Sequence, residues 1–190
     1  TSYIWIMAAV IIGTLLLLII IKFKKLSLWK FWFFFAVFFT MAIAFAPFVG
    51  QAVAAILAVI FALMKIYKPT IILNNFTEVF IYGGLAAIFV PVINVFAAFA
   101  LLFLISIYDI IAVRHTKHMV KLAEFQAKSK VFAGLLVPYG EGKPVAKGII
   151  MDKEKGRIAV LGGGDIGFPL LFAGAVMKDL MLINPELIGF

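Results

Sequence analysis

Residues 31–64 carry no charged side chain across 34 consecutive positions. As one helix that stretch would be about 51 Å long, against a bilayer hydrocarbon core of roughly 30 Å. The chain must therefore fold back on itself. Pro47, Gly50 and Gln51 mark the turn, predicting two short spans over about 31–46 and 51–64. Residues 3–21 form an earlier uncharged run of 19, enough for one crossing. Residues 71–113 are again too long for one helix, and Pro91 and Asn94 divide them in two. A last apolar run, 158–176, brings the expected count to six and ends near Lys178 and Asp179.

Hydrophobic residues make up 65% of the chain and charged residues 14%, where soluble domains are about 45–50% apolar. The expected fold class is an all-α polytopic membrane protein with six transmembrane helices. Its expected parts are residues 1–113 (five spans), 114–157 (a polar loop) and 158–190 (the last span and the start of the next segment). The loop begins with amphipathic character at Met119, Val120, Leu122 and Phe125. Further on, 148–151 and 157–161 read as two short strands around the charged turn 152–156. A short β-hairpin is thus expected in the loop, with the first turn of the last span as the alternative for 158–161.

The formal charge of +8 does not indicate a nucleic-acid partner, because the basic residues gather between apolar runs and form no groove interleaved with aromatics. If the segments alternate across the membrane, 16 of the 17 Lys and Arg fall on one side, only Lys178 being opposite. The loop 114–157 is then cytoplasmic. Without cysteine there is no disulfide, thiolate nucleophile or cysteine-bound metal. His115 and His118 stand three apart with no third ligand in view, so neither metal nor cofactor is expected. Asn75 and Glu78 have the spacing of an N-cap and its third position, predicting a helix start near Phe76 with Glu78 as a capping or interfacial acid.

Two acids stand apart from this pattern. Asp165 follows Gly162, Gly163 and Gly164 inside the last apolar run, and Asp109 follows Tyr108 in the fifth span. An ionisable side chain inside a span marks a functional site by default. Counted at helical rise from Arg114 and Arg157, both acids lie roughly 8–12 Å inside the same boundary. Paired carboxylates share a proton, so one can activate water while the other polarises a carbonyl and helps expel the amine. Such a dyad titrates as a unit, and its acid and base stay unassigned. The glycines and Pro169 disturb the helix beside the acid, which a membrane tolerates where the backbone faces protein or water. An alternative is a proton- or cation-coupled transporter using the acids as a relay. Gly162, Gly164 and Gly167 also match a dinucleotide-binding pattern, but among membrane spans and without a second strand. No Ser–His pair in the spans and no H-E-x-x-H motif support other intramembrane protease chemistries.

Tyr108-Asp109 in one span and Gly162-Gly163-Gly164-Asp165 in the next resemble the YD and GxGD motifs of presenilin and signal peptide peptidase, the intramembrane aspartyl proteases. The resemblance implies that Asp109 and Asp165 are catalytic, with Tyr108, Gly162, Gly163 and Gly164 as active-site motif residues. It implies that the six spans are the second to seventh of the family's nine, and that transmembrane proteins are the substrates, met in the lipid bilayer. The family's Pro-Ala-Leu motif does not occur here, and the polypeptide is expected to continue beyond both ends of this sequence. A cytoplasmic loop between the two acids is the presenilin orientation, and the short loops resemble archaeal presenilin homologues. Next to the acid, Arg157, Ile158, Ala159, Val160 and Leu161 are expected to bind substrate by strand addition. Proline at Ala159 or Leu161 is accordingly expected to impair cleavage.

Overall fold

The computed structural model describes residues 26–114, 133–139 and 157–184, with scattered helical positions between Ile4 and Ile19. Most of the first expected span, together with His115 and His118, the amphipathic start of the loop and the expected strand 148–151, lies outside the described residues. Five helices and two strands follow in order: α1 (Leu26–Val49), α2 (Gln51–Tyr67), α3 (Ile71–Phe89), α4 (Val95–Arg114), β1 (Gly134–Tyr139), β2 (Arg157–Gly162) and α5 (Gly163–Ile183).

The helix boundaries follow local chemistry. Gly50 adopts φ 78, a left-handed conformation that a side chain disfavours. Its amide closes α1 on the Ala46 carbonyl, and its own carbonyl accepts from Ala54 to open α2. Pro69 disfavours helical backbone at Lys68 and so stops α2. Thr70 then caps α3, its hydroxyl accepting from the Leu73 amide at 3.2 Å. The helix therefore starts at Ile71 and not near Phe76, and Asn75 and Glu78 lie within it.

Three helices are long and apolar enough to cross a membrane: α1 from Ser27, α3 and α5. The six expected spans are not reached among the described residues. Gln51–Tyr67 and the apolar part of α4, Val95–Ile111, are shorter, each about 25 Å at helical rise. Turn residues divided the apolar runs at the right places, but the pieces are of unequal length.

Helices α1 and α2 pack through matched stripes with a spacing of four. Trp29, Phe33, Val37, Met41 and Phe45 of α1 are buried in one cluster with Ala54, Ala58, Ala62 and Ile66 of α2. Large side chains on one helix meet small ones on the other, and the alanines permit close approach. Helix α3 joins this pair through Phe80, 4.5 Å from Phe45 between ring centroids. It also joins through Gly84, where a β-carbon would fall on the Thr40 backbone carbonyl. On the outside, Phe31, Trp32, Phe35 and Phe39 are exposed, the surface a bilayer would cover. At the far end, Ile93, Ala97 and Ala98 of the α3–α4 turn and α4 cluster with Ala175 of α5, flanked by Phe89 and Phe172.

Strands β1 and β2 form an antiparallel pair from Gly134↔Gly162 to Tyr139↔Arg157. The expected strand over 157–161 is present, but its partner is 134–139. Helix α5 begins directly at Gly163, so 158–161 is not the first turn of the span. It also continues past Lys178 and Asp179. Lys178 is held there by donating to the Val90 and Ile93 carbonyls at 3.1 and 2.5 Å, which satisfies the loose end of α3.

Candidate active site

Asp109 lies half-buried on α4, and Asp165 is exposed in the first turn of α5. The packing of these two helices brings the acids together. Eleven residues separate Ala98 from Asp109, and ten separate Asp165 from Ala175. With Ala98 and Ala175 in one cluster, oppositely directed helices rise about 16 and 15 Å to their acids. The Asp165 carboxylate is accordingly within direct electrostatic reach of Asp109. The shared depth thus has a different origin from the one expected. Counting helical rise from Arg157 fails, because 157–162 is strand, and strand rises about 3.3 Å per residue.

Of the motif glycines, Gly162 lies against the Asp165 carboxylate. A β-carbon at Gly162 would stand 3.2 Å from Asp165 Oδ2, and one at Gly163 would stand 3.3 Å from the Tyr82 hydroxyl. At Gly164 it would meet only the Phe168 ring, at 3.6 Å. Gly167, one turn along, is buried and lies against Leu85 of α3. Gly162 also takes the position before the helix with no side-chain cap, so the amide-rich end of α5 is open toward the Asp165 carboxylate, a favourable place for negative charge. Tyr108 is half-buried beside Asp109.

Strand β2 leads into this site, and the hydrogen bonds around β1 fix which way its amides point. Leu136 exchanges two bonds with the Asn75 side chain: its amide donates to Oδ1 at 2.9 Å, and its carbonyl accepts from Nδ2 at 2.8 Å. Both polar groups of Leu136 therefore face away from β2, and Val160 opposite it is in a non-hydrogen-bonded pair. It follows that Ile158, Val160 and Gly162 turn their backbone groups away from β1, to an edge that is free among the described residues, while Arg157, Ala159 and Leu161 turn theirs to β1. Proline at Ala159 or Leu161 would break the hairpin itself. The position that tests the free edge is Val160.

Sequence reasoning missed a buried polar cluster behind the hairpin. Lys65 is 2% exposed, and its ammonium donates to Glu78 Oε1 at 2.7 Å, Asn74 Oδ1 at 2.8 Å and Thr77 Oγ1 at 3.1 Å. Its three protons thus meet three acceptors. Glu78 is therefore not a capping acid. Lys65 and Glu78 form a buried ion pair. The signal was present in the sequence: Asn74, Thr77, Glu78 and Tyr82 recur at helical spacing within an apolar run, placing four polar groups on one face of α3. Tyr82 is buried, and its hydroxyl has no hydrogen-bond partner among the described residues and lies 3.3 Å from where a β-carbon at Gly163 would stand.

A sequence model of the family described as signal-peptide peptidase, presenilin aspartyl protease matches residues 1–190. The chain belongs to this family. No curated protein matches it, and no solved structure does. Family membership makes the chain an integral membrane protein of an aspartyl protease class, consistent with its three long apolar helices.

Proposed function

We propose that this chain carries the catalytic dyad of an intramembrane aspartyl protease that hydrolyses peptide bonds within the spans of single-span membrane proteins. The observation that carries the reading is that Asp109 and Asp165 stand at matched heights on two packed, oppositely directed helices. The ionised carboxylate takes a proton from water as the oxygen attacks the scissile carbonyl. The protonated one donates to the carbonyl oxygen, and a proton then passes to the departing amine. Asp165 is exposed in the first turn of α5 and Asp109 is half-buried, so water can reach the pair. Tyr108, Gly162, Gly163 and Gly164 shape the site. Substrate enters as an extended segment along the outward-facing groups of β2, within the five residues Arg157, Ile158, Ala159, Val160 and Leu161.

The loop 114–157 is assigned to the cytoplasm, the presenilin orientation, on the one-sided distribution of Lys and Arg. The segments 1–113, 114–157 and 158–190 serve in this reading as the spans up to the first acid, the connecting loop and the segment of the second acid.

The test is cleavage of a reporter transmembrane peptide by the purified full-length protein in lipid, with Asp109→Ala and Asp165→Ala alongside the parent. Each substitution alone is expected to abolish turnover. Cleavage that survives both, or ion flux lost in the variants with no cleavage in the parent, would transfer the acids to the relay reading.

A further inference from the structure

A two-stranded sheet has two edges, and either can accept an extended segment. Here the outer edge of β1 is occupied by side chains. Asn75 meets Leu136 with the donor and acceptor spacing of a neighbouring strand residue, and Asn74 Nδ2 donates to the Gly134 carbonyl at 2.8 Å. Pro138, next along the same edge, has no amide to offer. Gly134 and Leu136 are the residues paired with Gly162 and Val160, so both contacts fall directly behind the residues that lead into Asp165.

The buried ion pair decides how Asn74 is turned. The Lys65 ammonium requires the oxygen of the Asn74 amide to face it, which leaves the NH2 group facing the strand. Without the cation, either end of that amide could face β1, and the oxygen would repel the Gly134 carbonyl. Lys65 itself is oriented by Glu78 and Thr77. An ionic cluster at this depth is costly unless every group is partnered, and the partner it leaves over is the hairpin.

We propose that Asn75, together with Asn74 as oriented by the buried Lys65–Glu78 pair, acts as a side-chain surrogate for a third strand. They close the outer edge of β1 and hold the hairpin in register with Asp165, so that an extended segment adds at β2. These are positioning residues and touch neither substrate nor the reacting atoms. The inference rests on the protease reading for its consequence, but not for the anchoring itself.

The experiment uses the full-length protein in lipid nanodiscs, with Asn75→Leu, which removes both bonds, and Asn75→Asp, which keeps the acceptor for the Leu136 amide and loses the donor. Hydrogen exchange of segments 134–139 and 157–162 is read together with the positions at which a reporter transmembrane peptide is cut. In Asn75→Leu, exchange in 134–139 is expected to rise about 30-fold, the effect of losing two neutral hydrogen bonds, with a smaller rise in Asn75→Asp. Cleavage is expected to spread to neighbouring peptide bonds, since a hairpin free to shift no longer presents one bond to the dyad. A purely structural role would lower the amount of product without redistributing it, and that result overturns the positioning claim. Unchanged exchange in Asn75→Leu overturns the anchoring claim. If the parent cuts nothing, the protease reading fails, and the exchange result still decides whether Asn75 anchors the strand.

Discussion

Replacing Lys65 by methionine is the most informative test of the packing. The ammonium makes three hydrogen bonds, and it and its partners Asn74, Thr77 and Glu78 are each at most 2% exposed. Lys65→Met keeps most of the stem but strands the Glu78 carboxylate without its cation. Breaking one side of a buried pair costs about 3–5 kcal/mol, whereas replacing both sides with apolar groups of similar size is often close to neutral. Lys65→Met and Glu78→Leu alone are therefore each expected to lose about 3–5 kcal/mol. The double variant should lie within about 1–2 kcal/mol of the parent, a strongly non-additive cycle. The assay is a denaturing-detergent titration of the protein in mixed micelles, followed by helical content. A loss below about 1 kcal/mol for Lys65→Met, or single losses that simply add, would mean that water reaches the cluster and that the pair is not closed.

Turnover should follow a bell-shaped pH profile, falling on the acid side when both carboxyls are protonated and on the alkaline side when both are ionised; a flat profile between about pH 4 and 8 would refute shared-proton chemistry. Val160→Pro should sharply reduce cleavage while leaving β1 protected from hydrogen exchange, because its amide faces the free edge, whereas Ala159→Pro should lose both cleavage and protection; equal effects on exchange would refute the assigned amide directions. Gly84→Ala should cost about 1–3 kcal/mol in the same detergent titration, since its β-carbon would fall on the Thr40 backbone. Gly174→Ala should cost less than Gly84→Ala by that measure, because its β-carbon would meet the Val90 side chain at 2.6 Å and not backbone, and alanine favours the helix by about 1 kcal/mol.

Much of the architecture was legible because a bilayer imposes a length on apolar runs. The turns near Gly50 and Pro91, the strand before Asp165 and the two acids all followed from charge-free length, turn residues and the rarity of a carboxylate in a span. The misreadings share one cause. The spacing of Asn75 and Glu78 suggests a cap because it reflects only the immediate neighbours. The pairing of Glu78 with Lys65 depends on α2 and α3 being packed side by side. That β2 pairs with 134–139 rests on the hold of Asn74 and Asn75 on β1, a contact from α3 that no neighbouring residue announces.

The sequence by itself determined that this chain belongs in a membrane, where it turns, and that Asp109 and Asp165 are its exceptional residues, because composition and spacing act locally and are read directly. Only the tertiary structure decided that the two acids come within reach of each other, that among the described residues one edge of β2 is uncovered, and that a buried lysine stands behind the hairpin. Those features depend on which helix faces report to one another, and small differences in packing, such as the alanine contact between α4 and α5, set distances that no local pattern encodes.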